Sequence, residues 1–523
     1  LRELGPAFTL TGHVVEPLEG ESAGQASAVT EGRGMVVLTT HKAGRFYYAV
    51  TAVGDDGEVK SVTKANMAGP VNEHVEAPEP LLIWRAAGGA ARIYLQYQDI
   101  ENWNDSMSGV YAYPYWVGVH KDHRPGARDR ALRVYLGGYY GPIGGDNFSR
   151  YVDVEVRTHE AGCWWWGYSQ TFKYDRSQYR LEADDPVAAS GPMVNYVQAR
   201  YVDFVRWLIA RPYYSIDPDA VHLFGGSMGG GGALMMLMDY SELFAFAQVG
   251  VPPTNYFGVD WKWRRDCEAK FGAWDNDSIR VDFTGYGADR LRARWGGLTM
   301  REFFHLEKRM TAMEGEDLPY MWIASCGRDD SVNWPAQGRG LYPILDATHR
   351  GWSGGLKGSG GHLDLGGEGG GVAFPKQFWT IRRNQSFPAF SNVAGASPLP
   401  MPEKPQDKLY LYNSQFMWST ATFTVGGVRG QVDEPGRYEV VLASTAGDQV
   451  ADVTPRRLQQ FKPRPGATYE MMNVAVDDPA TVYQRQAAVA DRYGLVTFKG
   501  FIVKAGDSKG GGSRLVVVAI QDK

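Results

Sequence analysis

One stretch constrains this chain more than any other: LFGGSMGGGGALMM, residues 223–236. The apolar segment Val221–Gly226 reads as a strand, and Ala233–Tyr240 reads as a helix. Between them a single serine, Ser227, stands among six glycines. A chain that passes from strand to helix through one residue turns sharply. The residues two before and two after the turn must then lack bulk, because strand and helix approach closely there. The turn lifts the serine hydroxyl above the sheet edge and points the free N–H groups of the helix N-terminus toward it. Gly230–Gly232 carry the demand for closeness into the first helical turn, where each glycine costs roughly 1 kcal/mol relative to alanine. The G-x-S-x-G pattern alone is weak in a chain with 64 glycines; the strand before it and the helix after it make it specific.

The surrounding sequence alternates in the same way. Ala131–Gly141 is a short apolar strand running into glycines, and Pro319–Gly327 is another strand. Tyr196–Ala210 places Val197, Tyr201, Val205 and Leu208 on one helical face, and Pro212 ends that helix. Strands alternating with helices predict an α/β domain whose mostly parallel sheet is covered on both sides. The flanks differ. Arg45–Val53 is a β-branched and aromatic strand followed by the turn GDDG, which resembles the late strands of a fibronectin type III module. Ala68–Pro80 and Pro398–Lys408 read as linkers. After the second come FTVGG, GRYEVVLAST, GLVTFKGFIV and RLVVVAI, a series of strands. The expected organisation is a fibronectin-like β-sandwich over 1–83, an α/β domain over 84–397 with a cap at about 252–318, and a C-terminal β-sandwich over 409–523.

Composition narrows the partners. A net charge of −5 over 523 residues, with no basic stripe, argues against nucleic acid and anionic membrane, and no apolar run is long enough to span a bilayer. The chain opens at Leu1 with no visible signal peptide, which reads as a processed or trimmed chain. Cys163, Cys267 and Cys326 lack metal-ligand spacing, and their odd number allows one bridge at most. No metal cluster, phosphate loop or dinucleotide fingerprint is present, so no cofactor is expected.

The run Trp207–Gly250 resembles the nucleophile-elbow region of α/β-hydrolase serine esterases. Feruloyl and acetyl esterases, polyhydroxyalkanoate depolymerase-like enzymes and prolyl-oligopeptidase-like hydrolases are the nearest groups, and the SMGGGG run is similar to that of cutinase-type polyester hydrolases. The likeness covers roughly Ile93–Phe390. It implies a nucleophile at Ser227, followed along the chain by an acid and then a histidine. Three histidines follow Ser227: His305 and His349 lie in helical segments, whereas His362 lies in the glycine-rich loop GLKGSGGHLDLGGEGGG and is the expected base. For the acid, the family's G-x-x-D pattern past the strand Pro319–Gly327 selects Asp330 over its neighbour Asp329; Asp364, two residues from His362, is a poor rival. The backbone amide of Met228 supplies one oxyanion donor. The second is expected in the loop after Ala131–Leu136, which reads Gly137-Gly138-Tyr139 where the family often has His-Gly-x. Tyr139 is the assignment, and its ring is a candidate pocket wall.

Three consecutive tryptophans, Trp164–Trp166, cannot all face one core from a strand, so at least one is expected in a cleft as part of an aromatic substrate wall. Trp334, just past the acid, is a further candidate for the cleft border. The reading is a secreted or periplasmic serine esterase acting on an aromatic or polymeric ester. Its rivals are a prolyl-oligopeptidase-like peptidase or amidase, and a non-catalytic glycan- or polymer-binding protein on a hydrolase scaffold.

Overall fold

The computed structural model describes residues 42–75, 79–86, 90–100, 103–104, 110–120, 126, 129–140, 154–158, 160, 162–172, 191–366, 372, 374–397 and 399–520, with the strand pairs 14–15 and 27–28. Its centre is a ten-stranded sheet: β1 (Leu81–Arg85), β2 (Ala91–Asp99), β3 (Val110–Val119), β4 (Arg130–Leu136), β5 (Val154–Thr158), β6 (Ile216–Gly226), β7 (Phe246–Gly250), β8 (Tyr320–Cys326), β9 (Trp352–Lys357) and β10 (Leu409–Tyr412). The spatial order is β10-β9-β8-β7-β6-β4-β5-β3-β2-β1. From β5 through β4, β6, β7 and β8 to β9 all pairs are parallel, and the outer strands β1–β3 and β10 join antiparallel. The register sets Leu136 beside Gly225, Gly226 beside Gly250, and Gly250 beside Ala324. The loops carrying Gly137, Ser227 and Gly327 therefore leave one carboxyl edge of the sheet, where open α/β folds bind their ligands.

Seven helices are described: α1 (Tyr196–Ala210), α2 (Met228–Asp239), α3 (Arg264–Phe271), α4 (Ala288–Trp295), α5 (Met300–Phe303), α6 (Leu306–Ala312) and α7 (Leu341–Ala347). Their apolar side chains all join one core with one face of the sheet, through Val221 and Leu223 of β6 and Met321 and Ile323 of β8. The helix read from Val197, Tyr201, Val205 and Leu208 buries all four there. The expected cap segment supplies α3–α6, and Cys267, Phe271, Phe303, Phe304 and Met310 pack into the same core.

The second face departs from the sequence reading. Among the described residues no α-helix covers it. Phe224, Phe246, Tyr320 and Trp322 pack instead with Phe378 and Ile381 and with the C-terminal strands, through Tyr438, Val440, Val453 and Phe501. Those strands form a three-stranded antiparallel sheet (Phe387–Ser391, Gln449–Arg456, Phe498–Val503) and a six-stranded one built around Arg437–Ser444 and Ser513–Ala519.

The expected boundary at 397–409 is corrected by an exchange of strands. Phe387–Ser391, read with the α/β domain, pairs with Asp452–Arg456. Leu409–Tyr412, read with the C-terminal domain, forms the edge of the central sheet against β9. Two buried arginines fasten the contact: Arg457 donates to the carbonyls of Phe244 and Ala245, and Arg456 to those of Glu316, Thr348 and His349. A guanidinium with several fixed donors suits such a role, because it satisfies carbonyls that would otherwise be buried unpaired.

At the N-terminal end, Gly44–Ala49 pairs antiparallel with Met67–Glu73, so the stretch read as a linker from Ala68 begins within a strand. Most of the remaining segment expected to be fibronectin-like lies outside the described residues. No helix among the described residues is long and apolar enough to cross a membrane.

Candidate active site

Ser227 sits between β6 and α2 with φ +58° and ψ −125°, in a backbone region that L-residues rarely adopt. Its amide donates to the Gly250 carbonyl at 3.0 Å, and its carbonyl accepts from Gly231 at 3.1 Å. Added carbon on the flanking glycines has no room. A Cβ on Gly225 would collide with the carbonyl of Gly229, and one on Gly229 with the carbonyl of Leu136. In the same way Gly230 lies against the Gly250 carbonyl, Gly231 against the Tyr256 hydroxyl, and Gly232 against the Trp165 ring. The glycine run is the price of packing α2 against β4 and β7 and against Tyr256 and Trp165 while the serine stays at the sheet edge.

The expected base is held above this turn. His362 Nδ1 lies 2.8 Å from Asp329 Oδ2. Leu363, with φ +61°, brings its Cδ2 to 2.8 Å from the position a Cβ on Gly226 would take, and Leu365 lies at 3.2 Å from the corresponding position on Gly250. The residue after His362 thus packs against the residue before Ser227. The histidine loop is tied down on its other side, where the Arg328 amide donates to the Gly360 carbonyl at 2.9 Å and the Lys357 ammonium donates to Asp364 at 2.7 Å.

The acid differs from the sequence assignment. Asp330 points outward, with its side chain 88% exposed and 3.9 Å from the Lys262 ammonium. Asp329 is buried and works in two directions: Oδ2 faces His362, while Oδ1 accepts the amides of Ser331 at 2.7 Å and Val332 at 2.8 Å. The reason is local. An aspartate whose carboxylate accepts N–H groups two and three residues on closes an Asx-type turn, and this turn aims Asp329 inward and its neighbour outward. Both residues are aspartates, so a preference for that turn does not separate them in the sequence. His305 precedes α6 as its N-terminal flanking residue, and His349 Nδ1 faces Ser391 Oγ at 3.1 Å, both apart from the Asp329–His362 pair.

Met228 and Tyr139, the residues expected at the oxyanion site, are held from below. Met228 is fully buried, and its sulfur accepts the Trp164 amide at 3.3 Å. The Tyr139 carbonyl accepts from Gly162, and its hydroxyl donates to Asp266 Oδ1 at 2.8 Å and accepts from the Lys270 ammonium at 2.8 Å. Asp266 and Lys270 lie four residues apart on α3, and Lys270 also donates to the Gly162 carbonyl at 2.9 Å. Burial pushes the Asp266 carboxyl up and the Lys270 ammonium down from their ordinary values, each opposed by the other's charge. It also raises the Tyr139 phenol, with the Asp266 carboxylate adding to the effect.

The tryptophan expectations need correction. Trp164, Trp165 and Trp166 are all buried, and so is Trp334. Trp164 and Trp165 adopt positive φ (+51° and +59°), so the run is a tight turn that fans three rings in different directions rather than a strand. Trp165 donates to the Gly137 carbonyl at 3.0 Å, Trp166 packs among Phe283, Phe303 and Phe304, and Trp334 donates to the Pro402 carbonyl. The aromatic side chains that reach solvent beside the site are others. Tyr140 is 39% exposed, and the half-buried Trp263 lies 4.6 Å from the Tyr139 ring and donates to Ser331 Oγ at 3.0 Å. Sequence reasoning missed Trp263, Asp266 and Lys270. An i,i+4 Asp–Lys pair reads as a solvated helix face, and nothing local says that this face is buried.

All three cysteines are free and buried, and burial pushes the thiols of Cys163 and Cys326 up to about 12. They are thus held as thiols rather than nucleophilic thiolates. Among the described residues no three His, Cys, Asp or Glu side chains group as metal ligands.

The strained Ser227 turn and the histidine–carboxylate pair thus stand together at the carboxyl edge of a mostly parallel α/β sheet. No protein-family model and no curated protein matches the sequence. Solved structures similar to it include an S-formylglutathione hydrolase from Agrobacterium tumefaciens, at 16% identity and a TM-score of 0.31, covering 54% of this chain and 90% of that one. A thermophilic esterase from Thermogutta terrifontis is 15% identical with a TM-score of 0.31, covering 55% and 89%. An acylaminoacyl peptidase from Pyrococcus horikoshii is 11% identical with a TM-score of 0.34, covering 54% and 42%. The chain spans 37% of a prolyl endopeptidase that it matches at 14% identity, with a TM-score of 0.29. At these scores the similarity carries no weight for substrate or mechanism, which are taken from the site itself.

Proposed function

We propose that the protein is a serine hydrolase of carboxylic esters. The observation that carries the reading is the 2.8 Å contact between His362 Nδ1 and the buried Asp329, on a loop packed against the strained Ser227 turn. Asp329 Oδ2 accepts a hydrogen bond from Nδ1–H, which leaves Nε2 unprotonated as the base. Ser227 Oγ attacks the ester carbonyl carbon as its proton passes to Nε2. The carbonyl π electrons move to oxygen, and the tetrahedral oxyanion is held by the Met228 and Tyr139 amides. The imidazolium returns the proton to the leaving alcohol as the carbon–oxygen bond breaks. Water, deprotonated by the same imidazole, then releases the acid and restores Ser227.

The substrate class we favour is an ester with an aromatic acyl group, of feruloyl type or in a polyester. Support comes from the aromatic border formed by Tyr140 and the half-buried Trp263, which flank the ring of Tyr139 and whose flat faces suit stacking on a ring; Tyr139 itself, expected as a pocket wall, is buried beneath them. Trp263 takes the part first assigned to Trp164–Trp166.

The test is turnover of p-nitrophenyl acetate and butyrate, feruloyl esters, polyester film and peptide p-nitroanilides by the wild type, Ser227→Ala and His362→Ala. Ester turnover is expected in the wild type and absent from both variants. Cleavage of the anilides with no ester turnover would favour a peptidase. Polymer binding without any hydrolysis would favour the binding-protein reading.

A further inference from the structure

Beneath the two oxyanion residues lies a closed buried network that the ester mechanism does not itself use. The Lys270 ammonium has three protons and three sets of acceptors: Tyr139 Oη at 2.8 Å, the Gly162 carbonyl at 2.9 Å and the Asp266 carboxylate at 2.8 Å. Asp266 in turn receives the Tyr139 hydroxyl at 2.8 Å and the Trp164 indole N–H at 2.7 Å. Trp164 is the same residue whose backbone amide donates to the Met228 sulfur at 3.3 Å. Gly162, with φ +63°, leaves the room the lysine needs, because a Cβ there would stand within 2.9 Å of the Tyr139 hydroxyl and would crowd the Lys270 ammonium.

One ion pair on α3 is thus bonded to Tyr139 directly and to Met228 through Trp164. These are the two residues whose amides hold the oxyanion in the proposed reaction, and they come from loops about ninety positions apart in sequence. A charged pair without solvent is an expensive way to stabilise a fold, and replacing such a pair with apolar residues is often neutral or favourable. Its value lies in fixed geometry: the pair is satisfied only when Tyr139, Gly162 and Trp164 occupy these positions together.

We propose that Asp266 and Lys270 are positioning residues of the oxyanion site, which set the spacing of the Tyr139 and Met228 amides by clamping the Tyr139 hydroxyl and the Trp164 indole. The inference rests on the serine-hydrolase reading above. Neither residue touches substrate. Both act on how well the transition state, rather than the ground state, is held, since a displacement of an oxyanion donor by a fraction of an ångström weakens the tetrahedral species more than the bound ester.

The experiment measures kcat and KM for p-nitrophenyl butyrate per active site titrated with a fluorophosphonate, together with inhibition by phenylboronic acid, whose serine adduct mimics the tetrahedral species. Lys270→Met and Asp266→Asn are expected to lower kcat about 10- to 100-fold with KM within about 2-fold. The boronate should bind more weakly by a comparable factor. Tyr139→Phe removes one hydroxyl and keeps the ring. It is expected to lower kcat about 3- to 30-fold in the same pattern, and it decides the matter if the ion-pair variants do not fold. Wild-type kcat per titrated site and wild-type boronate affinity in a folded Lys270→Met or in Tyr139→Phe would overturn the positioning role alone. A wild type inert toward esters, or one still active as Ser227→Ala, would overturn the hydrolase reading and this inference with it.

Discussion

The two faces of the central sheet are built by different means. One is covered by helices, and four consecutive glycines let α2 lie against β4 and β7 on one side and against Tyr256 and Trp165 on the other. The other face is covered by antiparallel strands from the end of the chain, with Phe387–Ser391 and Leu409–Tyr412 exchanged across the junction. The first face carries the strained Ser227 turn, Met228, and the Asp266–Lys270 ion pair that holds Tyr139. The second delivers apolar burial through Phe224, Phe246, Tyr320 and Trp322, and carbonyl satisfaction through Arg456 and Arg457. The C-terminal strands therefore share a buried core with the central sheet. The contrast has a consequence for mutation: changes at the helical face and sheet edge should alter rate, whereas changes at the strand-covered face should alter stability.

The largest effect is expected at the sheet edge. Asp329→Asn should lower kcat for p-nitrophenyl butyrate by about 10⁴-fold, because an amide favours the wrong imidazole tautomer, with the melting temperature little changed. Asp330→Asn, on the exposed neighbour, should stay within about 2-fold. Truncation after residue 397 tests the other face. It removes β10 and the partners of Phe387–Ser391, and it should give a chain with no cooperative unfolding transition by circular dichroism. A soluble, active truncation would break the comparison outright.

A smaller effect is expected at the fastening arginines. Arg457→Met leaves the Phe244 carbonyl without its guanidinium and should destabilise the protein by about 2–3 kcal/mol in urea unfolding, with kcat per folded molecule unchanged. The smallest effect concerns pH. His222 of β6 is fully buried on the strand-covered side, its Nε2–H donates to the Ile381 carbonyl at 3.1 Å, and burial pushes its pKa down to about 4. The folded state resists protonation there and the unfolded state does not. Its contribution to stability is therefore present above about pH 6.5 and is lost as pH falls from there toward about 4. His222→Gln should flatten that part of the stability–pH curve, and an unchanged curve would remove His222 from the account.

How much was legible in the sequence follows from the same contrast. The elbow, α1 and the strands flanking Ser227 could be read because their signals are local: a periodicity, a steric demand for glycine, a proline stop. His362 could be singled out by its loop and by chain order, and it is the histidine that meets Asp329. Asp329 and Asp330 could not be separated by a motif, since adjacent aspartates differ only in which one closes the turn. Trp164–Trp166 do not follow a strand's alternation, because two of the three adopt positive φ, which three identical letters do not show. The exchanged strands are short, and their partners lie more than forty residues away, so no local pattern marks them as crossing a boundary.

The measurement that bears most directly on the central claim is covalent labelling by a fluorophosphonate, with the modified residue located by peptide mass. The adduct should fall on Ser227 of the wild type and of Asp330→Asn at similar rates, and form at least about 100-fold more slowly in His362→Ala and Asp329→Asn. No adduct on Ser227, or a labelling rate indifferent to His362, would contradict the claim that Ser227, His362 and Asp329 act together.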